Sequence, residues 1–250
     1  MRRLQILHTN DFHNNLKGAR AEELAKLRAS LGPDTLMLDA GDAISAGNVG
    51  VRLTGEPILE LMSDLGYDAI TMGNREFHVA ENCLRIKINK ARFPVLCANM
   101  RRKQETGAPL PVQPHLVKTL PNGLRVGVFG LTVPMVTEKM AARVVSAFLF
   151  DDPVLAAGRQ VVELCPQVDI LIALTHIGIR EDERLSGARP EIDLIIGGHS
   201  HVVLTEPERT YGVPIVQAGW FAHYAGVTEV EMPETGRPTV AGSTLHKLSA

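Results

Sequence analysis

The chain has 250 residues, of which 45% are apolar and 22% charged, and this composition excludes disordered and fibrous proteins. Its 26 Lys and Arg residues against 28 Asp and Glu residues give a formal charge of -2 without a basic block, so non-specific binding to nucleic acid or to a membrane surface lacks an electrostatic basis. No apolar run approaches the roughly 18 residues that cross a bilayer, and we therefore expect neither a membrane nor a nucleic acid as partner.

Apolar runs of strand length alternate with segments of helical period, which is typical of a mainly parallel α/β architecture. Several runs are almost continuous Leu, Ile and Val, as expected when both faces of a sheet are covered. In chain order, the predicted strands are Leu4–His8, Thr35–Asp39, Asp68–Met72, Val95–Ala98, Leu124–Gly130, Asp169–Leu174 and Ile192–Ile196.

Apolar stripes at helical spacing predict helices between these strands. The stripes are Leu24, Leu27 and Leu31; Ile58, Leu59, Met62 and Leu65; and Val154, Leu155, Val161, Val162 and Cys165. The tripeptide Pro121-Asn122-Gly123 predicts a turn, so one hairpin interrupts the parallel pattern.

The remaining segments complete one predicted domain over residues 1–250. We interpret Arg101–Pro114, with its prolines and low apolar content, as a surface loop. Pro214–Met232 alternates enough to form one or two closing strands, and Pro233–Ala250 is either a short hairpin or a loosely packed tail.

The cysteines and the first residues bear on the compartment. Cys83, Cys97 and Cys165 are odd in number and never form C-x-x-C, so neither a disulfide framework nor a thiolate zinc site is indicated. We interpret Cys97 and Cys165 as buried small apolar residues. The segment Met1–His8 has the charge of a signal peptide but only a short, broken apolar stretch, and we expect a cytoplasmic chain.

Chemically active residues follow the predicted strands directly. In α/β sheets, ligands bind beyond the carboxyl ends of the strands. At these positions the chain carries Asp11 and His13, Gly41-Asp42, Gly73-Asn74-Arg75-Glu76, His176, and Gly197-Gly198-His199-Ser200-His201. The strand ends therefore deliver carboxylates, imidazoles and an amide to one edge.

Imidazole, carboxylate and amide oxygen without thiolate are ligands for Zn, Mn or Fe. Two ions about 3.5 to 4 Å apart need roughly seven ligands, with at least one shared. The chain offers seven: Asp11, His13, Asp42, Asn74, His176, His199 and His201. Asp11 and His13 are two apart, as are His199 and His201, and in an extended segment such residues point to the same side.

Each candidate also has an ordinary interpretation. Asp11 could form an Asx-turn beside a solvated His13, Asn74 could cap a helix, and His176 could be a hydrogen-bonded core histidine. His8 lies inside the first strand, where a core role is expected. The coincidence of all seven candidates at strand ends favours the metal centre over these alternatives.

At these residues the chain resembles the calcineurin-like metallophosphoesterase superfamily, and within it the catalytic domain of the 5′-nucleotidase and 2′,3′-cyclic phosphodiesterase family. The matching blocks reach from the first strand to residue 219: ILHTNDFHNNL, LMLDAGDAISAG, DAITMGNREF, FPVLCANM, VGVFGLT, LIALTHIG, IDLIIGGHSH and VPIVQAG. The resemblance implies a four-layer αββα sandwich with a dinuclear metal centre at the strand ends.

Carried over by position, the resemblance assigns the metal ligands. One ion would be held by Asp11, His13 and His201, the other by Asn74, His176 and His199, with Asp42 between them. A metal-bound hydroxide would then attack phosphorus in line without a covalent phosphoenzyme.

The block GNREFH departs from the family pattern GNHEFD. Arg75 stands in place of the His that is thought to assist the leaving group, and His78 in place of the Asp that orients it. Arginine remains protonated, so Arg75 can bind phosphate oxygens but cannot act as a general acid. His78 either donates a proton to the leaving group or serves only as a cap or surface residue.

Family members that act on nucleotides commonly carry a C-terminal domain with base-stacking aromatic residues, and this chain ends about thirty residues after VPIVQAG. No base-binding platform is therefore assigned, and Trp220, Phe221 and Tyr224 are interpreted as core or rim packing.

The sequence thus predicts a phosphohydrolase that uses two divalent ions on a phosphomonoester or phosphodiester, either nucleotide-like or a small activated or cyclic ester. The alternative is a non-catalytic module that binds metal and phosphate. A nuclease is disfavoured, because a chain of formal charge -2 without a basic block offers no basic groove for nucleic acid. The metal, the natural substrate and the oligomeric state stay open.

Overall fold

A six-stranded and a five-stranded sheet pack face to face in the computed structural model of the chain, which describes residues 1–47, 49–104 and 107–249. The six-stranded sheet has the order β13-β12-β1-β2-β3-β4, in which β1 to β4 are parallel and β12 and β13 antiparallel. Its strands are β1 (Arg2–Thr9), β2 (Thr35–Asp39), β3 (Ala69–Thr71), β4 (Val95–Leu96), β12 (Tyr224–Met232) and β13 (Thr239–Lys247).

The five-stranded sheet has the order β11-β10-β9-β7-β6. Its strands are β6 (His115–Thr119), β7 (Arg125–Thr132), β9 (Ile170–His176), β10 (Leu194–Ile196) and β11 (Ile215–Val216). All are parallel except β6, which pairs antiparallel with β7 across the predicted turn at Pro121-Asn122-Gly123. A separate pair joins β5 (Met100–Arg102) to β8 (Phe148–Phe150).

Helices cover the outer face of each sheet. They are α1 (Ala19–Ser30), α2 (Pro57–Asp64), α3 (Glu81–Ile88), α4 (Pro153–Leu164) and α5 (Ile179–Ala188), with a 3-10 turn at Ala141–Val144. The first three helices pack on the six-stranded sheet, and α4 and α5 pack on the five-stranded sheet.

The core follows from the alternation of side chains along the strands. In β1, Leu4 and Ile6 point between the two sheets, whereas Leu7 points toward the first three helices. Because both sheet faces are covered, most strand residues are apolar, and each fully buried Leu contributes about 2 kcal/mol. The architecture is the four-layer αββα sandwich that the resemblance implies.

Most predicted elements are confirmed with small shifts at their ends, and the predicted hairpin is present. The sequence pattern did not predict α3 and α5, because both helices are short and mainly polar, with few buried apolar residues each. It missed the β5–β8 pair because these strands have only three residues each.

Three interpretations need correction or refinement. The segment Arg101–Pro114 begins as the end of β5 rather than as a loop; residues 105 and 106 of it lie outside the described residues, as does Ala250. The C-terminal segment forms the hairpin alternative, because β13 pairs along β12 and Leu248 is buried. Cys165 is exposed rather than buried, because it caps α4 at the surface.

Within the described ranges, none of the helices combines the length and the hydropathy that a bilayer crossing requires.

A buried histidine lies between the sheets. His8 faces Gly226 of the neighbouring strand, and any side chain at that glycine would overlap the imidazole. Neither ring nitrogen of His8 has a hydrogen-bond partner among the described residues. Burial therefore lowers the pKa of His8 from 6.5 to about 4.

We expect the His8→Leu variant to be less sensitive to acid than the wild type. The unfolded chain takes up a proton on His8 below pH 6.5 and the folded chain does not until about pH 4. Stability that is present above pH 6.5 is therefore lost toward pH 4, by roughly 3 kcal/mol for a group of this kind. Urea unfolding of chelator-treated protein at pH 7 and pH 4 measures the difference. His246→Leu, on β13, is the control, and an equal acid loss in wild type and His8→Leu would contradict the prediction.

Candidate metal centre

The seven predicted ligands meet where the carboxyl ends of the two sheets lie side by side. Asp11, Asp42 and Asn74 follow β1, β2 and β3 of the six-stranded sheet. His176 ends β9, and His199 and His201 follow β10, of the five-stranded sheet. The face-to-face packing thus brings the loops of both sheets to one place.

Asp11, His13 and His201 form one group of ligand atoms. The Nε2 atoms of the two histidines are 3.2 Å apart. Oδ1 of Asp11 lies 3.2 Å from Nε2 of His201 and 3.7 Å from Nε2 of His13. Two imidazole nitrogens and a carboxylate oxygen therefore surround a single point.

The two oxygens of Asp11 differ in their environment. Oδ2 accepts hydrogen bonds from the Asn10 side chain at 2.8 Å and from the backbone N–H of His199 at 2.9 Å. Oδ1 is buried and has no hydrogen-bond partner among the described residues. A buried carboxylate oxygen without a partner is costly, and a bound cation would satisfy it.

Asn74, His176 and His199 form a second group. Oδ1 of Asn74 lies 3.2 Å from Nε2 of His176 and 3.1 Å from Nδ1 of His199, and the two imidazole nitrogens are 3.3 Å apart. Nδ1 of His176 donates to the carbonyl of Ala40 at 2.7 Å. That bond fixes the tautomer and leaves the Nε2 lone pair directed into the group.

Asp42 lies beside both groups. Its carboxylate shares a cluster of ligand atoms within 4.8 Å with Asp11 and His176. Although burial lowers the pKa of His176, hydrogen bonding and charge from Asp42 outweigh it and raise that pKa to about 9. The carboxylates therefore favour positive charge at this place.

Left-handed backbone aims the ligands. Five candidate residues have positive φ, between 46° and 74°: Asp11, His13, Asp42, His199 and His201. The expectation that Asp11–His13 and His199–His201 are extended segments is therefore wrong, because each pair converges through left-handed residues. Such conformations cost of order 1 kcal/mol or more each and concentrate at functional sites.

Gly198 permits the close approach of the two sheets. A Cβ atom at this position would lie 2.6 Å from the carbonyl oxygen of Ala40 and 3.1 Å from Nδ1 of His176. A side chain there would break the hydrogen bond that orients His176.

Glu76 supports the centre without belonging to either group. Its carboxylate accepts backbone N–H groups of Asp42 at 3.0 Å, Ile44 at 3.2 Å and Gly73 at 2.8 Å. Burial raises the pKa of Glu76 to about 7, and these N–H groups oppose that shift. Glu76 thereby joins the loops that follow β2 and β3.

Arg75 lies at the edge of the centre. Its backbone N–H donates to Oδ1 of Asp42 at 2.7 Å, and its Nε is 3.6 Å from Oδ2 of the same carboxylate. Nη1 donates to the carbonyl of Ser45 at 2.9 Å. The side chain is 38% exposed, so it remains accessible to a ligand.

His78 is buried next to the start of α3. Its Nδ1 accepts the backbone N–H of Ala80 at 2.9 Å, a local bond in the segment before the helix, whose N-cap position is Ala80 and which has no side-chain cap. In the neutral imidazole this bond leaves the proton on Nε2. His78 thus holds the local backbone and retains one N–H donor on the same ring.

Aromatic side chains line the rim. Trp220 stacks on His201, with ring centres 5.8 Å apart and an interplanar angle of 16°, and Phe221 meets His13 edge to face at 5.4 Å. The sequence signal for this contact was weak, because both aromatic residues follow a strand at a distance of some twenty residues from His201. Both rings thus pack against histidines of the first group.

The donor set fits a pair of divalent ions. Imidazole nitrogens in both groups approach other lone-pair atoms at 3.1 to 3.3 Å, and Oδ1 of Asp11 is buried without a partner. Nitrogen and oxygen ligands without thiolate suit Zn, Mn or Fe.

Comparison with known proteins bears on the same residues. The family model for calcineurin-like phosphoesterase matches residues 4–203. The uncharacterized metallophosphoesterase YunD of Bacillus subtilis is 29% identical over 244 residues, covering 94% of this chain and 51% of that protein. The human 5′-nucleotidase is 29% identical over 280 residues, covering 93% of this chain and 47% of that protein.

A solved structure shares the fold over almost the whole chain. The 5′-nucleotidase precursor from Thermus thermophilus superposes with a TM-score of 0.81 at 26% identity, covering 99% of this chain and 55% of that one. The chain thus spans about half the length of these relatives.

We expect Glu76→Gln to lower the free energy of unfolding by about 1 to 3 kcal/mol, because an amide NH2 would replace an oxygen that accepts backbone N–H groups. It should also weaken Mn²⁺ binding, since the loop that carries Asp42 loses its support. Urea unfolding and calorimetric titration measure the two effects. Glu60→Gln is the matched control: Glu60 is 48% exposed and pairs only with Lys90, at 3.4 Å. Equal effects of the two substitutions would refute the supporting role.

Proposed function

Because the chain belongs to the calcineurin-like phosphoesterase family, we propose that it is a metal-dependent phosphohydrolase with a dinuclear centre, acting on phosphomonoesters or phosphodiesters. The observation that carries the proposal is the buried Oδ1 of Asp11, which has no hydrogen-bond partner among the described residues and lies 3.2 Å from Nε2 of His201. Family members use divalent metal ions to hydrolyse phosphoesters, and the residues present suit such ions.

The proposed ligand assignment follows the two groups. Asp11, His13 and His201 hold one ion, and Asn74, His176 and His199 hold the other. Asp42 is the proposed shared ligand, and Asp11, which also lies within 4.8 Å of Asp42 and His176, is a second candidate for sharing. When bound, such a pair neutralises charge on phosphoryl oxygens and lowers the pKa of coordinated water to about 7, which supplies a hydroxide nucleophile.

Arg75 is the proposed phosphate clamp. Its guanidinium stays protonated at any working pH and presents donors in a fork that matches two phosphate oxygens. Nη1 already donates to the carbonyl of Ser45, which fixes the plane of the group at the edge of the centre. The remaining donors stabilise charge that increases on the phosphoryl oxygens as the leaving group departs.

His78 is the proposed proton donor to the leaving oxygen. The hydrogen bond from Ala80 occupies Nδ1, so the N–H that can face a leaving oxygen is the one on Nε2. Proton transfer from Nε2 requires the imidazolium form, in which the protonated Nδ1 gives up the bond from Ala80. The competing role is purely structural, because the same bond holds the backbone before α3.

The proposed substrates are nucleotide-like phosphoesters or small activated or cyclic esters. The human and the Thermus relatives are 5′-nucleotidases, and this chain matches about half of each. Trp220 and Phe221, the aromatic residues at the rim, pack on His201 and His13.

A non-catalytic module that binds metal and phosphate is the second candidate. Arg75 favours it, because an arginine at this position binds anions and donates no proton at working pH.

Turnover tests these two candidates. We expect hydrolysis of bis(nitrophenyl) phosphate or nitrophenyl phosphate by protein loaded with Mn²⁺ or Zn²⁺, loss of turnover after chelation, and recovery when the metal returns. Asp11→Asn should lose both turnover and part of the bound metal, as measured by elemental analysis. Two tightly bound ions without turnover of either ester would instead favour the binding module.

A series of leaving groups separates Arg75 from His78. Arg75→Ala should lower kcat/KM about 100-fold for nitrophenyl and alkyl esters alike, with partial recovery in Arg75→Lys. His78→Asn keeps an acceptor for Ala80 but removes Nε2, and should slow alkyl esters about 100-fold while sparing nitrophenyl esters. Arg92→Ala, on an exposed arginine paired with Asp64, is the control. Equal slowing of both ester types in His78→Asn would leave only the structural role.

A further inference from the structure

Helix α3 carries a buried lysine whose charge faces the loops of the centre. Lys87 has no exposed surface, although it is the penultimate residue of a helix of eight. Its side chain is among the largest fully buried ones of the described residues. A lysine ammonium is buried in this way only when its donors are satisfied.

Three backbone carbonyls satisfy the ammonium. Nζ donates to the carbonyl oxygen of Arg75 at 2.7 Å, of Gly47 at 2.8 Å and of Phe77 at 2.9 Å. An ammonium has three N–H donors, so each one is used. Lys87 therefore joins the segment that contains Arg75 to the loop after β2.

These bonds close a ring of contacts around Arg75. Its guanidinium donates to Ser45, two residues before Gly47, and its backbone carbonyl accepts from Lys87. Its backbone N–H is held by Asp42. Lys87 thus connects the backbone of Arg75 to the loop that contains Ser45, and the carbonyl of Ser45 accepts the hydrogen bond from the Arg75 side chain.

The electrostatic surroundings argue against a purely stabilising ion pair. Burial lowers the pKa of Lys87, whereas Glu76, Glu56 and Asp42 oppose that shift. No carboxylate oxygen in the described ranges lies within 4.0 Å of Nζ, so backbone carbonyls make the direct contacts and the carboxylates act only at longer range. An apolar residue of similar length would avoid the desolvation penalty, so stability alone explains this lysine poorly.

We propose that Lys87 is a positioning residue that preorganises Arg75 for binding a phosphoryl group. The inference rests on the proposed function through the role of Arg75 as phosphate clamp. An arginine has large rotational freedom, and fixing both its backbone and its carbonyl partner before binding reduces the entropy lost on complex formation. Lys87 itself touches neither the substrate nor the ligand groups.

The test is a double-mutant cycle on phosphate binding. Calorimetry measures the affinity of inorganic phosphate for Mn²⁺-loaded wild type, Lys87→Met, Arg75→Ala and the double variant. We expect Lys87→Met to weaken binding about tenfold when Arg75 is present and less than about twofold in the Arg75→Ala background, since the two residues act as one unit. Lys90→Met, in a half-exposed lysine three residues further on, should leave the affinity unchanged.

Further readouts assign each outcome. Metal content and urea unfolding are measured for every variant, and Lys87→Met should keep the metal content of the wild type. Equal losses of phosphate affinity in both Arg75 backgrounds, or a loss of metal, would overturn the positioning role. If Lys87→Met does not fold, Lys87→Arg keeps the charge but changes the geometry, and it should show the same dependence on Arg75.

The two proposals fail in different ways. A wild type that binds metal but not phosphate would refute both the clamp and the positioning of Arg75. A wild type that binds phosphate with the expected coupling, yet hydrolyses no ester, would refute the enzymatic function and leave the role of Lys87 supported. A wild type that hydrolyses esters but shows no coupling would refute the role of Lys87 alone.

Discussion

The crowding of lone pairs at the junction of the two sheets is the constraint on which the site depends. Imidazole nitrogens approach one another at 3.2 and 3.3 Å, and a buried carboxylate oxygen of Asp11 faces two of them without a partner. A neutral imidazole has only one N–H donor, so these groups together hold more acceptor lone pairs than donors, and cations or protons can meet the excess. The raised pKa of His176 has the same cause, because the nearby carboxylates favour positive charge on its ring. Divalent ions supply positive charge that these acceptor lone pairs can coordinate.

The fold meets that demand by fixing each ligand through groups outside the ligand set. Ala40 orients His176, Asn10 holds Oδ2 of Asp11, and Glu76 gathers the loops after β2 and β3. The bonds from His176 to Ala40 and from Asp42 to Glu76 cross between loops of different strands, so the sandwich, rather than any single segment, defines the geometry. Several candidate ligands have left-handed backbone, which costs conformational energy and persists only where surrounding hydrogen bonds hold it in place.

The apolar runs were sufficient to predict an α/β fold, and the residues after them to predict that the seven candidate ligands come together, because both patterns follow local rules. The backbone conformation of the ligands could not be predicted in this way. A spacing of two suggests an extended segment, whereas Asp11 and His13 have left-handed backbone. The role of Glu76 was equally hidden, since its partners are backbone N–H groups from another loop. Lys87 gave no signal either, because a lysine in a polar helix normally faces solvent.

The contacts of Arg75 explain how an arginine can serve at this position of the block GNREFH. A histidine can exchange a proton, and an arginine at the same position can only supply charge and hydrogen bonds, so its value depends on being held in place. The chain holds Arg75 at its backbone N–H, its carbonyl and its guanidinium, through Asp42, Lys87 and Ser45. A cation held in this way favours oxygens that carry negative charge, which is the role proposed for Arg75. The proton donor proposed in its stead, His78, would have to act through Nε2, because Nδ1 accepts the N–H of Ala80.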